Sequence, residues 1–152
     1  MYISYGSHSN DFLLTEYGFI LNDNRWDEIS LDPFILPLLS GKQKEILDNA
    51  GFLGKYVLDN DAVCYRTQVA LRLLCLPTKK WQRFVHGLDD GEKDQMAVDR
   101  LVTKVIQSYL DYVDERVGRV KFLDSDCSTQ RETMISRWMQ IRVVLEKNKN
   151  VL

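Results

Sequence analysis

Two tyrosines near the start of the chain, Tyr5 and Tyr17, are candidates for a reactive site because of their side chains and their spacing. A tyrosine ring attracts cations to its face, at roughly 0.5 to 2 kcal/mol per contact, and its hydroxyl adds an oriented dipole. A pair of such rings suits a reaction in which a cationic group is transferred or produced. The same rings could instead pack in a core or on an edge strand, since aromatic side chains favour both places.

The local sequence places these tyrosines on either side of one short helix. Residues 2–4 have β-type side chains and lead into a glycine-containing turn. Ser9 or Asn10 then caps an amphipathic helix, which Gly18 ends. We therefore predict a strand, a turn and a helix, with one tyrosine before the helix and the other at its end.

In order along the chain, this segment contains Tyr5, Ser9-Asn10 and Tyr17-Gly18-Phe19. The ordered set resembles the C-terminal end of the SET domain in methyltransferases of the Rubisco large-subunit methyltransferase type. The resemblance implies that Tyr5 is the catalytic tyrosine beside the transferred methyl group. It also implies that Tyr17 and Phe19 line the channel for the substrate lysine. For the complete enzyme, it implies S-adenosylmethionine as the cofactor and a protein as the substrate.

The chemistry of methyl transfer explains why tyrosines would stand there. The reaction needs a neutral amine in line with a sulfonium group, whereas lysine in water has a pKa of about 10.4. A narrow apolar channel disfavours the charged amine and so lowers that pKa. An aromatic wall also tolerates the sulfonium and the methylated ammonium. Tyrosine supplies both the apolar wall and a polar hydroxyl.

The cofactor-binding motifs of that family are absent from this sequence. Enzymes of this type bind the cofactor through an earlier Gly-x-Gly turn and an Asn-His pair. The sequence contains no Gly-x-Gly, and neither His8 nor His86 follows an asparagine. Tyr5 also lies four residues after the first methionine, so nothing upstream could form the remaining SET strands. We expect this chain alone to bind no cofactor and to catalyse no methyl transfer unless an N-terminal half completes it.

Two functions of different class fit these residues. In the first, residues 1–31 end the SET domain of a protein-lysine N-methyltransferase, and residues 32–152 form its helical substrate-binding-like domain. In the second, the chain is a non-catalytic helical protein-interaction module that keeps the SET remnant as a structural cap. The missing cofactor motifs favour the second for this chain alone. The intact tyrosine segment favours the first for the protein to which it belongs.

The composition is that of an ordered intracellular protein with one core: 45% of the 152 residues are hydrophobic and 28% are charged. No run approaches the roughly 18 apolar residues of a membrane span, and the N-terminus lacks the regions of a signal peptide. Cys64, Cys75 and Cys127 are odd in number and widely spaced, so we expect reduced thiols and no metal site. These features predict a cytoplasmic or nuclear location and no membrane partner.

The net charge of -2 gives no electrostatic reason to expect a nucleic-acid partner. The charge is uneven, because residues 1–30 hold one basic and five acidic residues, whereas residues 128–152 hold five basic and two acidic ones. An acidic surface near the lysine channel would suit a basic substrate tail, and a solvated loop explains it as well. The N-terminal strand at residues 2–4 would leave an unpaired edge, which favours self-association.

Beyond Phe19 the patterns predict a mainly α fold. A helical bundle-like domain follows a short strand-helix-strand remnant of the SET domain and carries a small β-hairpin. A short strand is predicted at residues 26–31, and the hairpin at residues 55–58 and 62–65. Helices are predicted over residues 42–49, 66–76, 79–85, 92–117 and 129–147. Apolar side chains recur along one face of each of the last two helices, so we expect these helices to pack together.

The two histidines have less specific roles. His8, within the tyrosine segment, could contact a substrate, but no acid-base partner is evident and an exposed loop position is the simpler expectation. His86 follows a short predicted helix, where it would complement the negative end of the helix dipole.

Overall fold

The computed structural model of the protein describes residues 6–122 and 128–151. These ranges contain seven α-helices and one antiparallel sheet of two strands, which confirms the mainly α fold class. The helices are α1 (Asn10–Tyr17), α2 (Asp32–Ile35), α3 (Gly41–Asn49), α4 (Tyr65–Cys75), α5 (Thr78–Val85), α6 (Gln95–Lys121) and α7 (Ser128–Val151). The strands are β1 (Glu28–Ser30) and β2 (Val57–Asp59). The strand predicted at residues 2–4, Tyr5 and Cys127 lie outside the described residues.

Helix α1 begins and ends where the sequence predicts. Ser9 has an extended backbone, with φ -66° and ψ 159°, and its Oγ accepts a hydrogen bond from the amide of Phe12 at 3.4 Å. Gly18 follows the helix with φ 77°, and its amide donates to the carbonyl of Leu14 at 3.0 Å. A residue with a Cβ is strained at that φ, so glycine lets the chain turn there. Tyr17 is therefore the last residue of the helix.

The next helices also follow their capping signals, with one difference. Ser40 and Gln43 form a reciprocal capping box at the start of α3. Pro77 separates α4 from α5, because a proline cannot continue the hydrogen-bond ladder of α4. Helix α5 begins at Thr78, one residue before the predicted start at residue 79, and Pro77 takes the cap position. Helix α6 starts after a short 3-10 turn and continues to Lys121, four residues beyond the predicted end.

The small β element differs from the predicted hairpin. Strand β2 pairs with β1 in antiparallel register, with Ile29 opposite Leu58. The arm that returns after the turn forms only an isolated bridge, between Val63 and Leu58, before α4 begins. Thr67 of α4 supplies the reason, because its Oγ1 accepts a hydrogen bond from the amide of Val57 at 3.1 Å. The start of α4 therefore occupies space beside β2 that a longer second strand would need.

The hydrophobic core lies around α6, which packs against α2, α4 and α7. Ile106 and Val113 of α6 and Leu145 of α7 are completely buried, which confirms the predicted packing of the two long helices. Helix α1 contributes no residue to this core. Its buried residues are Asn10 and Leu13, so contacts outside the hydrophobic core attach this helix to the rest of the protein.

Candidate functional site

Four ring side chains at α1 form one surface, which we call the aromatic face: His8, Phe12, Tyr17 and Phe19. His8 stacks on Phe12 with their ring centroids 4.2 Å apart. Phe12 meets Tyr17 edge-on at 6.3 Å, and Tyr17 lies 6.3 Å from Phe19. Tyr17 is 54% exposed and Phe12 is 41% exposed. Such a surface can attract a cation or be covered by an apolar partner.

The aromatic face contains two of the three residues that the resemblance assigns to the active site, Tyr17 and Phe19. The third, Tyr5, lies outside the described residues, so its catalytic role stays a prediction, as do the roles of the other two. His8 is half-buried instead of exposed, and its backbone carbonyl accepts a hydrogen bond from Asn24 Nδ2 at 2.8 Å. Its ring is therefore a packing element of this surface.

Asn10, which the sequence suggests only as a helix cap, holds α1 to the loop that follows it. The residue is 1% exposed. Its Nδ2 donates to the carbonyl of Leu21 at 2.8 Å, and its Oδ1 accepts from the amide of Leu21 at 3.1 Å. The same Oδ1 accepts from Asn24 Nδ2 at 3.1 Å, and Nδ2 also donates to Gln140 Oε1 of α7 at 2.9 Å. One carboxamide thus joins α1, the loop and α7.

Arg137 of α7 reaches the same region through two ion pairs. Its Nε lies 2.7 Å from Asp11 Oδ1, and its Nη1 lies 2.6 Å from Asp27 Oδ2. The other oxygen of Asp27 accepts a hydrogen bond from the backbone amide of Asn10 at 2.8 Å. The side chains of Arg137 and Asp27 are 4% and 8% exposed. We call Asn10, Asp11, Asp27, Arg137 and Gln140 the polar junction.

The two carboxylates determine the charge state of the polar junction. Burial alone would lower the pKa of the Arg137 guanidinium, but the hydrogen bonds and charges of Asp11 and Asp27 outweigh burial and raise this pKa above its ordinary value. The guanidinium therefore stays charged at physiological pH. Its Nη2 is buried and has no hydrogen-bond partner in the part of the chain that the structure describes. The opposite charges of the two chain ends are thus partly neutralised inside the fold.

A groove of about 720 Å³ runs beside the polar junction. Ile135, Met139 and Val143, spaced one turn apart on α7, give it an apolar wall. Asp23 and Arg25, from the loop after α1, lie on the polar side. The groove has the size to receive a segment of polypeptide, but Tyr17 and Phe19 do not line it.

The other chemically reactive groups that the structure describes lie apart from one another. Among residues 6–122 and 128–151, no group of histidine, cysteine, aspartate and glutamate side chains could hold a metal ion. Cys64 and Cys75 are free thiols, and burial raises the pKa of Cys75. His86 occupies the C-cap of α5, as predicted. None of the helices that the structure describes is long and apolar enough to span a membrane.

The polar junction could not be recognised in the sequence by motif or spacing. Arg137 is separated by 126 residues from Asp11 and by 110 residues from Asp27. The opposite net charges of the first 30 and the last 25 residues are the one signal that points to such a contact. That signal shows that the two ends can attract each other, but it does not say which residues meet.

Three curated proteins resemble this chain along most of its length. Ribosomal lysine N-methyltransferase 2 of Saccharomyces cerevisiae is 27% identical over 138 residues, which are 86% of this chain and 29% of the relative. Ribosomal lysine N-methyltransferase set11 of Schizosaccharomyces pombe is 32% identical over 80% of this chain and 34% of its own length. SET domain-containing protein 4 of Mus musculus is 30% identical over 70% of this chain and 28% of its own length. The chain spans about a third of these relatives.

These similarities and the helical lobe behind the tyrosine segment define the chain as the C-terminal part of a SET-type methyltransferase. Residues 27–150 match the ribosomal lysine N-methyltransferase 2 C-terminal domain. The chain belongs to that family.

Proposed function

We propose that this chain is the C-terminal part of a protein-lysine N-methyltransferase of the SET type, which uses S-adenosylmethionine. The observation that carries the proposal is the ordered tyrosine segment, which ends in an exposed aromatic face. In this proposal Tyr5 lies beside the transferred methyl group, and Tyr17 and Phe19 line the lysine channel. The names of two relatives, both ribosomal lysine N-methyltransferases, support a protein substrate.

The surroundings of Tyr17 support such a channel on chemical grounds. Its ring has aromatic neighbours in Phe12 and Phe19, and about half of its surface is open to a ligand. Aromatic rings favour the methylated ammonium product, at roughly 0.5 to 2 kcal/mol per contact. An apolar wall also favours the neutral amine that the reaction needs.

In this proposal residues 1–31 end the SET domain, and residues 32–152 form the domain that binds the protein substrate. With a boundary at residue 31, the two parts would share one sheet, with β1 in the first and β2 in the second, although residues 27–31 also fall within the match to the C-terminal domain. The groove beside α7 also lies between them, with the loop at residues 22–25 on one side and α7 on the other. It is therefore our candidate for the surface that receives the substrate protein.

We further propose that this chain alone binds no S-adenosylmethionine and turns over no substrate, since its sequence lacks the Gly-x-Gly and Asn-His motifs. The cofactor would bind to a preceding part of the complete enzyme. We also propose that the protein acts in the cytoplasm or nucleus, where the free thiols of Cys64 and Cys75 would stay reduced.

The first experiment measures the mass of the endogenous polypeptide, captured with an antibody against residues 92–117. We expect a product well above 17.8 kDa that transfers labelled methyl groups from S-adenosylmethionine to unmethylated ribosomal proteins. A product of 17.8 kDa without turnover would favour the non-catalytic interaction module instead. Turnover by the purified 152-residue chain would contradict our proposal that the chain is inactive alone.

Substitutions in the active polypeptide then test the tyrosines. Tyr5→Phe removes the hydroxyl proposed to lie at the methyl group, and we expect kcat to fall by about 10² to 10³. Tyr17→Phe should lower kcat by about tenfold, because it keeps the ring and loses only the dipole. Tyr65→Phe is the matched control, since Tyr65 is also 54% exposed but lies on α4. Equal rates for all three variants and the wild type would contradict these roles.

A further inference from the structure

We propose that Arg137 is a positioning residue that fixes the tyrosine segment to the helical lobe. The inference rests on the proposed function, because it assigns Arg137 a task in placing Tyr17. Arg137 would touch neither the substrate nor the cofactor. It would act through Asp11 and Asp27, which it binds at 2.7 and 2.6 Å.

Helix α1 has only a weak apolar attachment to the rest of the protein. Leu13 is the one buried apolar residue of this helix, and no residue of α1 belongs to the hydrophobic core. A helix of eight residues is about 12 Å long and has little stability of its own. Its position therefore depends on the polar junction, where Arg137 supplies the one positive charge.

The polar junction holds α1 at the start of the helix, and Tyr17 is the last residue of the helix. Asp27 accepts hydrogen bonds from the amide of Asn10 and from Arg137. Asp11, in the first turn of α1, binds the same guanidinium. Two contacts in the first turn of α1 restrain its direction as well as its place, and the direction of α1 decides where the ring of Tyr17 lies.

The guanidinium of Arg137 has a geometry that suits these two bonds, because they come from two different nitrogens of one planar group. It presents its N–H groups in a planar fork, and Arg137 uses two different nitrogens for two carboxylates. A lysine ammonium is a single point charge on a flexible stem, so it would keep the charge and lose the fork. Arg137→Lys is therefore a test of orientation more than of charge.

Arg142 provides a control of the same residue type on the same helix, at a more exposed position: its side chain is 32% exposed and that of Arg137 is 4% exposed. It also pairs with two carboxylates, binding Asp114 at 2.6 Å and Glu146 at 2.9 Å. These partners lie on α6 and α7, so this arginine does not touch the tyrosine segment. Arg142→Lys removes a comparable fork elsewhere.

Amide hydrogen exchange in the 152-residue chain tests the anchoring. For Arg137→Lys we expect the α1 amides to exchange about tenfold faster than in the wild type, while the α6 core amides change less than about twofold. Arg142→Lys should leave α1 unchanged. Equal acceleration in α1 and α6 would show a general loss of stability and would overturn the proposal, as would unchanged exchange in α1. If Arg137→Lys does not fold, Asp11→Asn, which removes one half-exposed partner, must give the same local pattern.

Steady-state kinetics of the complete polypeptide test the consequence for catalysis. We expect Arg137→Lys to lower kcat by about tenfold or more, with KM for the protein substrate within about twofold of the wild type, because misplacement mainly affects the chemical step. Arg142→Lys should change neither constant. Normal kcat in Arg137→Lys, together with a slow Tyr17→Phe variant, would overturn this inference and leave the proposed function intact. An inactive wild type would overturn the proposed function and the catalytic part of the inference, while hydrogen exchange would still decide the anchoring.

Discussion

The side chain of Asn10 makes two hydrogen bonds with the backbone of Leu21, one to its carbonyl at 2.8 Å and one from its amide at 3.1 Å. The carboxamide of Asn10 thus satisfies the backbone N–H and carbonyl of Leu21, as the backbone of a neighbouring β-strand would. We expect Asn10→Ala to lower the free energy of unfolding by about 1 to 3 kcal/mol, because the hydrogen bonds of this buried side chain would be lost. Urea denaturation of the purified chain measures this change.

Asn22→Ala is the control for that substitution, since Asn22 is exposed and lies in the same loop. We expect it to change the free energy of unfolding by less than about 0.5 kcal/mol. Equal values for the two variants would mean that the paired carboxamide of Asn10 does not hold the loop.

Gly91 is fixed by its contact with the buried side chain of Arg72. A Cβ at position 91 would lie 2.8 Å from Arg72 Cζ and 2.9 Å from Phe84 Cδ2, and the residue has φ 75°. Arg72 cannot easily move, because it donates to the Gly91 carbonyl at 3.1 Å and to Gln95 Oε1 at 2.6 Å. We expect Gly91→Ala to reduce the free energy of unfolding by about 2 to 5 kcal/mol, from backbone strain and overpacking together. Thermal and urea unfolding report the loss.

Gly87→Ala separates the two causes. Gly87 has φ 69°, and a Cβ there would meet no atom within 4 Å. Backbone strain alone should reduce the free energy of unfolding by about 1 to 2 kcal/mol. If Gly91→Ala were no more destabilising than Gly87→Ala, the contact with Arg72 would not be the reason for glycine at position 91.

Local signals in the sequence were sufficient for most of the helices. Ser9 and Gly18 predict both ends of α1, because capping depends on residues within one turn. The apolar period of residues 92–117 likewise predicts α6, since a long amphipathic helix is specified by its own sequence. These elements could be predicted because their causes are local.

The polar junction and the pairing of the sheet could not be predicted in this way. Arg137 and Asp11 are 126 positions apart in the sequence, and no local pattern records which carboxylate an arginine will bind. Strand β2 has apolar character that suits a hairpin, yet it pairs with β1, and Thr67 of α4 accepts the hydrogen bond of the Val57 amide. Such contacts depend on how the helices and strands pack against one another. The local sequence of a single helix or strand does not determine that packing.

Tyr109 of α6 should make the folded state sensitive to alkaline pH. Burial, with a smaller contribution from the charge of Asp11, raises the pKa of Tyr109 from 10.0 to about 12, and the residue is 7% exposed. The folded state therefore holds the phenol proton more tightly than the unfolded state does. This contribution to stability is complete below pH 10 and is lost as the pH rises to about 12, by about 3 kcal/mol at most.

Tyr109→Phe should remove this part of the pH dependence. The substitution deletes the ionising hydroxyl and keeps a ring that can stack on Phe34, whose centroid lies 4.3 Å away in the wild type. We expect urea unfolding between pH 9 and pH 12 to show a smaller loss of stability in the variant. Tyr65→Phe, which alters an exposed ring on α4, should keep the wild-type slope. A buried phenol that ionises must change the free energy of unfolding. If Tyr109→Phe kept the wild-type dependence of this free energy on pH, other groups would be the cause of the loss of stability at alkaline pH.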